Sequence, residues 1–216
     1  MANLTQNDQG IFHRAGTFDE YILREVKCYA PYDYTGNDII LDIGGHIGAF
    51  ASHAAQTGAS VISYEPEPGN YEVLEKNAEA FNFQAVRAAI IGGDESEISF
   101  YINEKKNNAL HSIEPIKGRK VLTVPAVKFS EVLDTVQPNI IKCDCEGGEY
   151  YLDWYELANR PTITKVIMEL HLTKKAWRQS DAPAIVKLFE DLGFTAVHQP
   201  MINPKNWTTL AIWRRN

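Results

Sequence analysis

The chain has 216 residues, of which 44% are hydrophobic and 23% charged, and it carries a formal net charge of −7. This length suits one domain with a sizeable core, and the acidic balance without a Lys/Arg block argues against a nucleic-acid backbone as the main partner. The three cysteines, Cys28, Cys143 and Cys145, include no CxxC pair and predict neither a disulfide framework nor a zinc site.

The N-terminal segment is polar and predicts a helix shortly after it. MANLTQNDQG contains no apolar run, and no stretch of the chain approaches the ~18 apolar residues of a membrane span, so we expect a cytoplasmic protein without a membrane partner. Residues Asp19–Tyr29, DEYILREVKCY, place apolar side chains at helical spacing. Asp19 is the expected N-cap, since its carboxylate can accept from the first free N–H groups of a helix.

Beyond this helix, short apolar runs alternate with segments of helical spacing. We predict strands over 38–45, 60–66, 84–91, 139–145, 165–172, 194–200 and 208–215, and helices over 48–56, 69–81, 147–158 and 182–192. The stretch that contains EISFYI and VLTVPAV, between the strands predicted over 84–91 and 139–145, is expected to be irregular. Such alternation indicates βαβ units and a mostly parallel sheet, and two final strands without a helix between them indicate an antiparallel edge.

The predicted fold class is therefore α/β, with a doubly wound, mostly parallel seven-stranded sheet and an antiparallel C-terminal edge. We expect one domain over 1–216, in which a lead-in of 1–36 contains the first helix and a Rossmann-like core spans 37–216. Because ligands of such sheets bind beyond the carboxyl ends of the strands, residues at those ends are the candidates for function.

The stretch LDIGGHIG predicts a nucleoside cofactor site. A strand ending in Asp42 runs into Gly44, Gly45 and Gly48, where a helix begins and where the backbone is open to a ligand. The G-x-G-x-x-G fingerprint of dinucleotide-binding proteins does not fit, because His46 occupies the position of its second glycine. A phosphate-binding loop is also excluded, since no Gly-Lys-Ser/Thr follows. An acid ahead of the glycines suits a cationic ligand such as S-adenosylmethionine. Asp42 is expected to accept hydrogen bonds from its amino-acid end, directly or through water, unless it only stabilises the turn.

A second acid completes the predicted cofactor site. Glu65 ends the next strand about twenty residues beyond the glycines, the distance typical of an acid that binds a ribose diol. The alternative is that Glu65 caps the helix that starts near Pro68.

These motifs resemble those of the FkbM-type group of class I S-adenosylmethionine-dependent methyltransferases, across most of the chain. LDIGGHIG is similar to the first motif of that group, SYEPEPGNYEVLEKN to its ribose motif, and HRAGTFDEYILREV to its lead-in. KCDCEGGEY resembles its D-x-E-G-x-E signature, carried here by Asp144, Glu146, Gly147 and Glu149. The resemblance implies binding of S-adenosylmethionine and O-methylation of hydroxyls on sugars or natural products.

Three residues at the strand ends are the predicted catalytic groups. Strand alternation places Lys142, Asp144 and Glu146 on one face and the two neighbouring cysteines on the other, where they pack. Asp144 is the first candidate for contact with the methyl-transfer centre, either taking the hydroxyl proton or holding the cofactor's amino group, and Glu146 is the second. His171 is a possible general base, since imidazole titrates near neutrality. Alternatively, Glu146 or Glu149 caps the following helix and His171 is only a hydrogen-bonded strand end.

Two further sets of residues have an open interpretation. Asp144, Glu169 and His171 could bind a divalent metal, but the Asp-Asn pair of catechol-type enzymes is missing after the fifth strand, so we expect no metal. The segment NNALHSI, with Asn107, Asn108, His111 and Ser112, is either a polar substrate loop or a surface turn.

The sequence thus predicts an S-adenosylmethionine-dependent O-methyltransferase for a small molecule or sugar, without a nucleic-acid or membrane partner. Two alternatives stay open: a non-catalytic metabolite-binding module on the same fold, and an NAD-type nucleotide-binding enzyme.

Overall fold

The computed structural model describes residues 3–29, 33–103, 111–113, 115, 117–172, 176–200 and 208–215, and it leaves out the side chains of Cys28 and of 176–180. The strands of these ranges are β1 (Leu4–Gln6), β2 (Phe12–Arg14), β3 (Ile39–Ile43), β4 (Ser60–Tyr64), β5 (Gln84–Val86), β6 (Ala89–Ile91), β7 (Glu97–Ile102), β8 (Lys120–Lys128), β9 (Ile140–Cys143), β10 (Lys165–His171), β11 (Thr195–His198) and β12 (Thr208–Arg214). The helices are α1 (Asp19–Glu25), α2 (Ala49–Gln56), α3 (Pro68–Phe81), α4 (Phe129–Val136) and α5 (Ala176–Asp191), and 3₁₀ turns cover Val26–Tyr29, Gly148–Tyr151 and Trp154–Asn159.

Seven strands form the main sheet in the order β11-β12-β10-β9-β3-β4-β5. The strands from β10 to β5 run parallel to their neighbours, whereas β12 is antiparallel to both β10 and β11. The predicted fold class is thereby confirmed, including the antiparallel C-terminal edge. β9 is buried along its whole length and β10 nearly so, as expected of central parallel strands that are covered on both faces.

A separate hydrophobic cluster packs on each face of the main sheet. One cluster contains Trp154, Phe189 and Trp213, with the Phe189 and Trp213 rings stacked 4.4 Å apart. The other contains Ile47 and Phe50 together with apolar residues of the lead-in. Two covered faces are the physical meaning of a doubly wound sheet, and they leave the strand ends as the place where polar groups can meet. No helix in the described ranges is long and apolar enough to cross a membrane.

The parallel register brings the carboxyl ends of four strands to one edge. Cys143 is aligned with Ile43 of β3 on one side and with Met168 of β10 on the other, and Ile43 is aligned with Tyr64 of β4. The chain winds from β3 to β4 in one direction and returns through β9 in the other. Residues that follow these strands therefore meet at the switch point, where ligands of such sheets bind.

A second, three-stranded sheet corrects the prediction for 84–91 and for the region after it. The predicted single strand is two strands, since the chain leaves the main sheet after β5 and joins β8 through β6. The region expected to be irregular contains β7 and β8, which pair antiparallel. Pro125 makes β8 hard to recognise as a strand from the sequence, because proline cannot donate a backbone hydrogen bond. It lies where β8 changes its partner from β7 to β6, so the pairing with either strand is not interrupted. Helix α4, which follows β8, was also not predicted.

The helix predicted over 147–158 is wrong, because two 3₁₀ turns replace it. The carboxylate of Glu149 turns inward and accepts hydrogen bonds from the N–H groups of Gly147 and His171. The indole of Trp154 donates to the carbonyl oxygen of Glu149. These contacts pin the first turn to β10, so tertiary bonds override the helical spacing of the sequence.

Two helix ends also differ from the prediction. Phe18, not Asp19, is the N-cap of α1; Asp19 is fully buried as the first helical residue and accepts hydrogen bonds from the Arg14 side chain at 2.8 and 2.9 Å. The arginine ion pair explains why this carboxylate faces inward. Helix α5 starts at Ala176 rather than at 182, and Pro183 lies inside it.

Candidate active site

A cleft of about 960 Å³, counted out to the open solvent, lies over the switch point of the main sheet. Four regions of the chain line it: the glycine loop after β3, the end of β4, the acidic segment after β9, and the lead-in helix. The small sheet adds a fifth wall. Lining side chains include Glu25, Tyr29, Phe50, Glu65, Ile90, Phe100, His111, Ile113, Lys142, Asp144 and Glu146.

The glycine loop requires glycine for reasons of packing. The N–H groups of Gly44 and Gly45 donate to the carbonyl oxygen of Tyr64 at 3.0 and 2.9 Å, which ties the loop to β4. Gly44 has a φ of +81°, and a Cβ there would collide with the carbonyl oxygen of Asp144. A Cβ on Gly45 would collide with the Ser63 hydroxyl. Both glycines line the cleft, so close packing of the strand ends brings the backbone itself to the ligand space.

Gly48, the third predicted cofactor residue, does not line the cleft. It is the N-cap of α2, with a φ of +80°. A Cβ there would lie 2.7 Å from a methyl carbon of Leu74. Its contribution to the site is therefore the direction in which α2 leaves the loop.

Glu65 lies at the end of β4 with its carboxylate in the cleft wall. Oε2 accepts from the N–H of His46 at 2.9 Å and Oε1 from the N–H of Glu67 at 2.8 Å. Burial raises the pKa of Glu65 to about 8, against the effect of these two backbone donors. Each carboxylate oxygen has a second lone pair, which suits it to the two hydroxyls of a ribose. The alternative role as cap of α3 belongs to Glu67, whose side chain accepts from the N–H of Asn70.

Asp42 lies below the loop and is not part of the cleft lining. One carboxylate oxygen accepts from the Ser63 hydroxyl at 2.6 Å, and the other lies 3.1 Å from Nζ of Lys142. Lys142 is buried and also donates to the carbonyl oxygen of Gly44 at 2.8 Å. Although burial alone would lower it, the charges of Asp42 and Asp144 hold the pKa of Lys142 above its ordinary value. Asp42 therefore acts on the cleft through Lys142, a residue that the sequence did not single out.

Asp144 faces the cleft, and a hydroxyl from the lead-in holds it. Tyr29 donates to Oδ2 of Asp144 at 2.7 Å, and the same hydroxyl lies 3.1 Å from Oε2 of Glu169. Nζ of Lys142 lies 3.9 Å from Asp144 Oδ2. Although burial alone would raise it, Lys142 and then His171 hold the pKa of Asp144 below its ordinary value. Asp144 is thus a carboxylate that is both held in place and open to a ligand.

His171 lies behind Asp144, outside the lining of the cleft. Its Nδ1 is 3.1 Å from Oε1 of the fully buried Glu149, and its Nε2 is 3.7 Å from Oδ1 of Asp144 and 3.5 Å from Oε2 of Glu146. Burial alone would lower the pKa of His171, but Glu149 and Glu146 hold it well above its ordinary value. The structure therefore brings the three predicted catalytic residues together, and it assigns Glu149 to the support of His171.

Several carboxyl groups lie close together around Asp144. Burial, with the charges of Glu169 and Asp144, raises the pKa of Glu25 to about 7. Burial and Asp144 likewise raise the pKa of Glu169. Neither Glu25 nor Tyr29 was a sequence candidate, because the apolar pattern of the lead-in indicated only a packing helix. The sequence did contain one indication of their role. Glu25 and Tyr29 are four residues apart, a spacing that places two polar groups on one face of a helix.

The remaining sequence candidates fall in different places. The sulfur atoms of Cys143 and Cys145 are 3.5 Å apart. Cys143 is buried in a hydrophobic cluster, as predicted, whereas Cys145 packs against that cluster and also lines the cleft. His111 and Ser112 are buried beside β7 rather than in a surface turn, and His111 lines the cleft. Asn107 and Asn108 lie outside the described residues.

The fold, the glycine loop and the acid at the end of β4 agree with the predicted class I methyltransferase that uses S-adenosylmethionine. The sequence model described as methyltransferase FkbM domain matches residues 42–196. The chain belongs to this FkbM family of methyltransferases, and its cofactor is S-adenosylmethionine rather than a nicotinamide dinucleotide.

Two relatives are also named methyltransferases. "Methyltransferase 1" of Beauveria bassiana is 25% identical over 212 residues, which cover 84% of this chain and 83% of the relative. "Hexuronic acid methyltransferase AglP" of Haloferax volcanii is 24% identical over 136 residues, which cover 62% of this chain and 56% of the relative.

Solved structures support the fold. A precorrin-6y C5,15-methyltransferase of Geobacter metallireducens superposes with a TM-score of 0.51 at 10% identity, covering 99% of this chain and 95% of the other. A fibrillarin/Nop5p complex superposes with a TM-score of 0.50 at 13% identity, covering 84% of this chain and 74% of the other. At such low identity these likenesses concern the fold alone.

Proposed function

We propose that this protein is an O-methyltransferase that acts on a hydroxyl group of a small molecule or sugar. The observation that carries the proposal is Asp144, whose pinned carboxylate opens on the cleft at the carboxyl end of β9. His171 lies behind it, 3.7 Å away, and Glu149 holds the imidazole. A hydroxyl acceptor needs such a group, because its proton must be removed as the methyl group arrives.

S-adenosylmethionine supplies the methyl group, and the residues of this chain hold it and place the acceptor. Glu65 would accept from the ribose hydroxyls, and the backbone at Gly44 and Gly45 would lie against the cofactor. The apolar part of the cleft lining, which includes Ile90, suits a flat nucleobase. Asp42 would act indirectly, by fixing Lys142 against the loop.

In the proposed transfer, S-adenosylmethionine would supply the methyl group and leave as S-adenosylhomocysteine, and the acceptor would leave as a methyl ether. Asp144 would take the hydroxyl proton on its carboxylate. Much of the acceleration of such a displacement comes from holding the two reacting atoms in line, and a placed base adds ~10²–10⁴-fold.

The charge of the cleft supports a small acceptor over a nucleic acid. The chain is acidic, with a net charge of −7, and Asp144, Glu146 and Glu25 line the cleft. A phosphate backbone would meet like charge there, whereas a hydroxyl offers a donor to these oxygens. The relative named for hexuronic acid agrees with a sugar-type acceptor.

The test starts with a screen of hydroxylated metabolites and sugars for release of S-adenosylhomocysteine. On an acceptor found in this way, Asp144→Asn should lower kcat by ~10²–10⁴-fold, because it keeps the shape of the side chain and removes its basicity. Affinity for S-adenosylhomocysteine, measured by calorimetry, should change little.

Asp8→Asn is the matched control, since Asp8 is exposed and far along the chain from the strand ends. It should leave kcat unchanged. Near-normal turnover of Asp144→Asn would exclude Asp144 as the base and move the role to Glu146 or His171.

A further inference from the structure

A second cavity lies next to the cleft, between the small sheet and the 3₁₀ turn Gly148–Tyr151. Its volume is about 830 Å³, counted out to the open solvent. We call it the side groove, and its lining includes Ile91, Glu95, Ser99, Tyr101, Ile113 and Tyr151. Neither the glycine loop nor Glu65 lines the side groove, so the binding of the cofactor does not account for it.

The side groove is continuous with the cleft. Ile113 lines both of them. Gly148 lines the cleft, and a Cβ placed on it would lie 3.9 Å from a methyl carbon of Ile113. Gly148 and Tyr151 begin and end one 3₁₀ turn, which rises ~2 Å per residue, so the side groove starts roughly 6 Å from the cleft wall. An acceptor longer than one ring can therefore occupy both spaces.

Two separate contacts hold the walls of the side groove in place. A Cβ on Gly92, which follows β6, would lie 2.3 Å from the carbonyl oxygen of Tyr151, so the small sheet touches the turn only because this residue is glycine. Tyr101 of β7 exchanges two backbone hydrogen bonds, of 2.8 and 3.1 Å, with Ser112. This pairing keeps the adjacent Ile113 beside β7. The side groove is thus formed before any ligand arrives, as is usual for a binding site.

The lining of the side groove combines apolar faces with a few oxygen atoms. Tyr101, Tyr151 and three isoleucines supply the apolar faces. Tyr151 is 48% exposed although it belongs to the wall, so much of its surface is available to a ligand. The oxygens come from Ser99 and Glu95. A Cβ on Gly93 would lie 2.0 Å from Oε2 of Glu95, so this carboxylate lies over the backbone of Gly93 inside the side groove.

We propose that the side groove binds an uncharged pyranose ring that is linked to the methylated unit of a glycan acceptor. A pyranose has C–H groups on its faces and hydroxyls at its rim, so it suits tyrosine rings and acceptor oxygens together. An alkyl chain offers no donor to Glu95, and an acidic sugar would bring like charges together. The inference rests on the proposed function, because the methylated unit must lie beside Asp144.

The experiment compares three probes built on each sugar of the acceptor screen: its methyl glycoside, its octyl glycoside and its neutral disaccharides. Release of S-adenosylhomocysteine gives kcat and KM, and we expect the lowest KM for a disaccharide. Tyr151→Ala should raise that KM about tenfold and leave kcat and the KM of the methyl glycoside unchanged. Tyr151→Phe keeps the ring and should behave like the wild type. Tyr155→Ala is the matched control, since Tyr155 is 68% exposed and lines neither space.

Saturation-transfer NMR of the disaccharides, with S-adenosylhomocysteine present, measures binding without turnover. The signal should persist in Tyr155→Ala and fall in Tyr151→Ala. Equal KM values in these two variants, or an octyl glycoside that binds as well as the disaccharide, would overturn the proposal. Absence of saturation transfer to every disaccharide would also overturn it. Transfer that depends on Tyr151, without turnover of any sugar, would support the side groove as a sugar site and contradict the proposed function alone.

Discussion

The two ends of the cleft are built by different means. At the end that we propose for the cofactor, called the cofactor end, the contacts are to the backbone: Gly44 and Gly45 donate to a neighbouring strand, and both oxygens of Glu65 accept from N–H groups. At the end that we propose for the acceptor, called the acceptor end, the contacts join side chains. Tyr29 reaches Asp144 across 115 positions of sequence and Glu169 across 140.

The electrostatics of the two ends differ in the same way. The pKa of Glu65 is raised mainly by burial, and the charges of Glu67 and Lys142 act on it in opposite directions. Near the other end, the charges of Glu169 and Asp144 add to burial in raising the pKa of Glu25. A site made of backbone contacts tolerates few substitutions of shape, whereas a site made of converging charges is sensitive to substitutions of charge. Lys142 joins the two ends, since it contacts the Gly44 carbonyl, Asp42 and Asp144.

The largest effect is expected where a shape change reaches both ends. In Gly44→Ala, the new Cβ would collide with the carbonyl of Asp144, so the ends of β3 and β9 must separate. We expect loss of measurable S-adenosylhomocysteine binding and a lower melting temperature. Gly193→Ala is the matched control, because Gly193 has the same φ of +81° with nothing within 4 Å. It should show only the ~1–2 kcal/mol strain of a left-handed backbone and bind normally. Equal behaviour of the two variants would mean that the collision is not the cause.

Next in size is the removal of the charge that joins the two ends. Lys142→Met leaves the fully buried Asp42 without its cation, and breaking a buried pair costs ~3–5 kcal/mol in free energy of unfolding. Urea denaturation measures this loss. The double variant Asp42→Asn/Lys142→Met removes both charges and should recover much of it. A double variant no more stable than Lys142→Met alone would contradict the pairing.

A smaller effect, confined to the cofactor end, is expected for Glu65→Ala. A hydrogen bond to a charged group is worth ~1.5–3 kcal/mol, so affinity for S-adenosylhomocysteine should fall at least tenfold in calorimetry above pH 8, where Glu65 is ionised. Glu67→Ala is the control: Glu67 caps α3 and does not line the cleft. Loss of this cap should lower the free energy of unfolding by ~0.5–2 kcal/mol without weakening the binding of S-adenosylhomocysteine. Unchanged affinity in a folded Glu65→Ala protein would exclude Glu65 from the site.

The smallest expected effect is a pH dependence of the affinity for S-adenosylhomocysteine, caused by Glu65 at the cofactor end. A carboxyl with a pKa raised to about 8 favours the folded state most below its ordinary pKa near 4.5 and loses that contribution as pH rises through 8. Ribose hydroxyls donate best to the ionised form. S-adenosylhomocysteine affinity should therefore rise between pH 6 and 8, by no more than about tenfold per unit.

Calorimetry across this range, in wild type and in Glu65→Gln, checks the pH effect. The charged groups that act on Glu65 are Glu67 and Lys142, and both are unchanged in Glu65→Gln. The slope should disappear in that variant. The same slope in both proteins would place its origin elsewhere.

Local patterns were enough to predict the main sheet and to place Gly44, Gly45 and Glu65 where the structure has them, in the lining of the cleft. Apolar runs ended by glycine or acid mark buried parallel strands, and the spacing from the glycines to Glu65 is a property of one βαβ unit. The D-x-E-G-x-E segment likewise placed Asp144 and Glu146 at a strand end. Each of these features depends on residues close together in sequence, for which the backbone leaves few arrangements.

The tertiary structure alone decided how the other end is assembled. That Tyr29 contacts Asp144, that Glu149 turns inward to hold His171, and that Lys142 bridges two carboxylates all depend on which strands become neighbours. The second sheet escaped prediction for the same reason, because the first part of β8 pairs with β7 and its last three residues pair with β6. Periodicity shows which face of an element is buried, but it does not show what that face will meet, and the charges of this site are balanced only by groups that folding brings together.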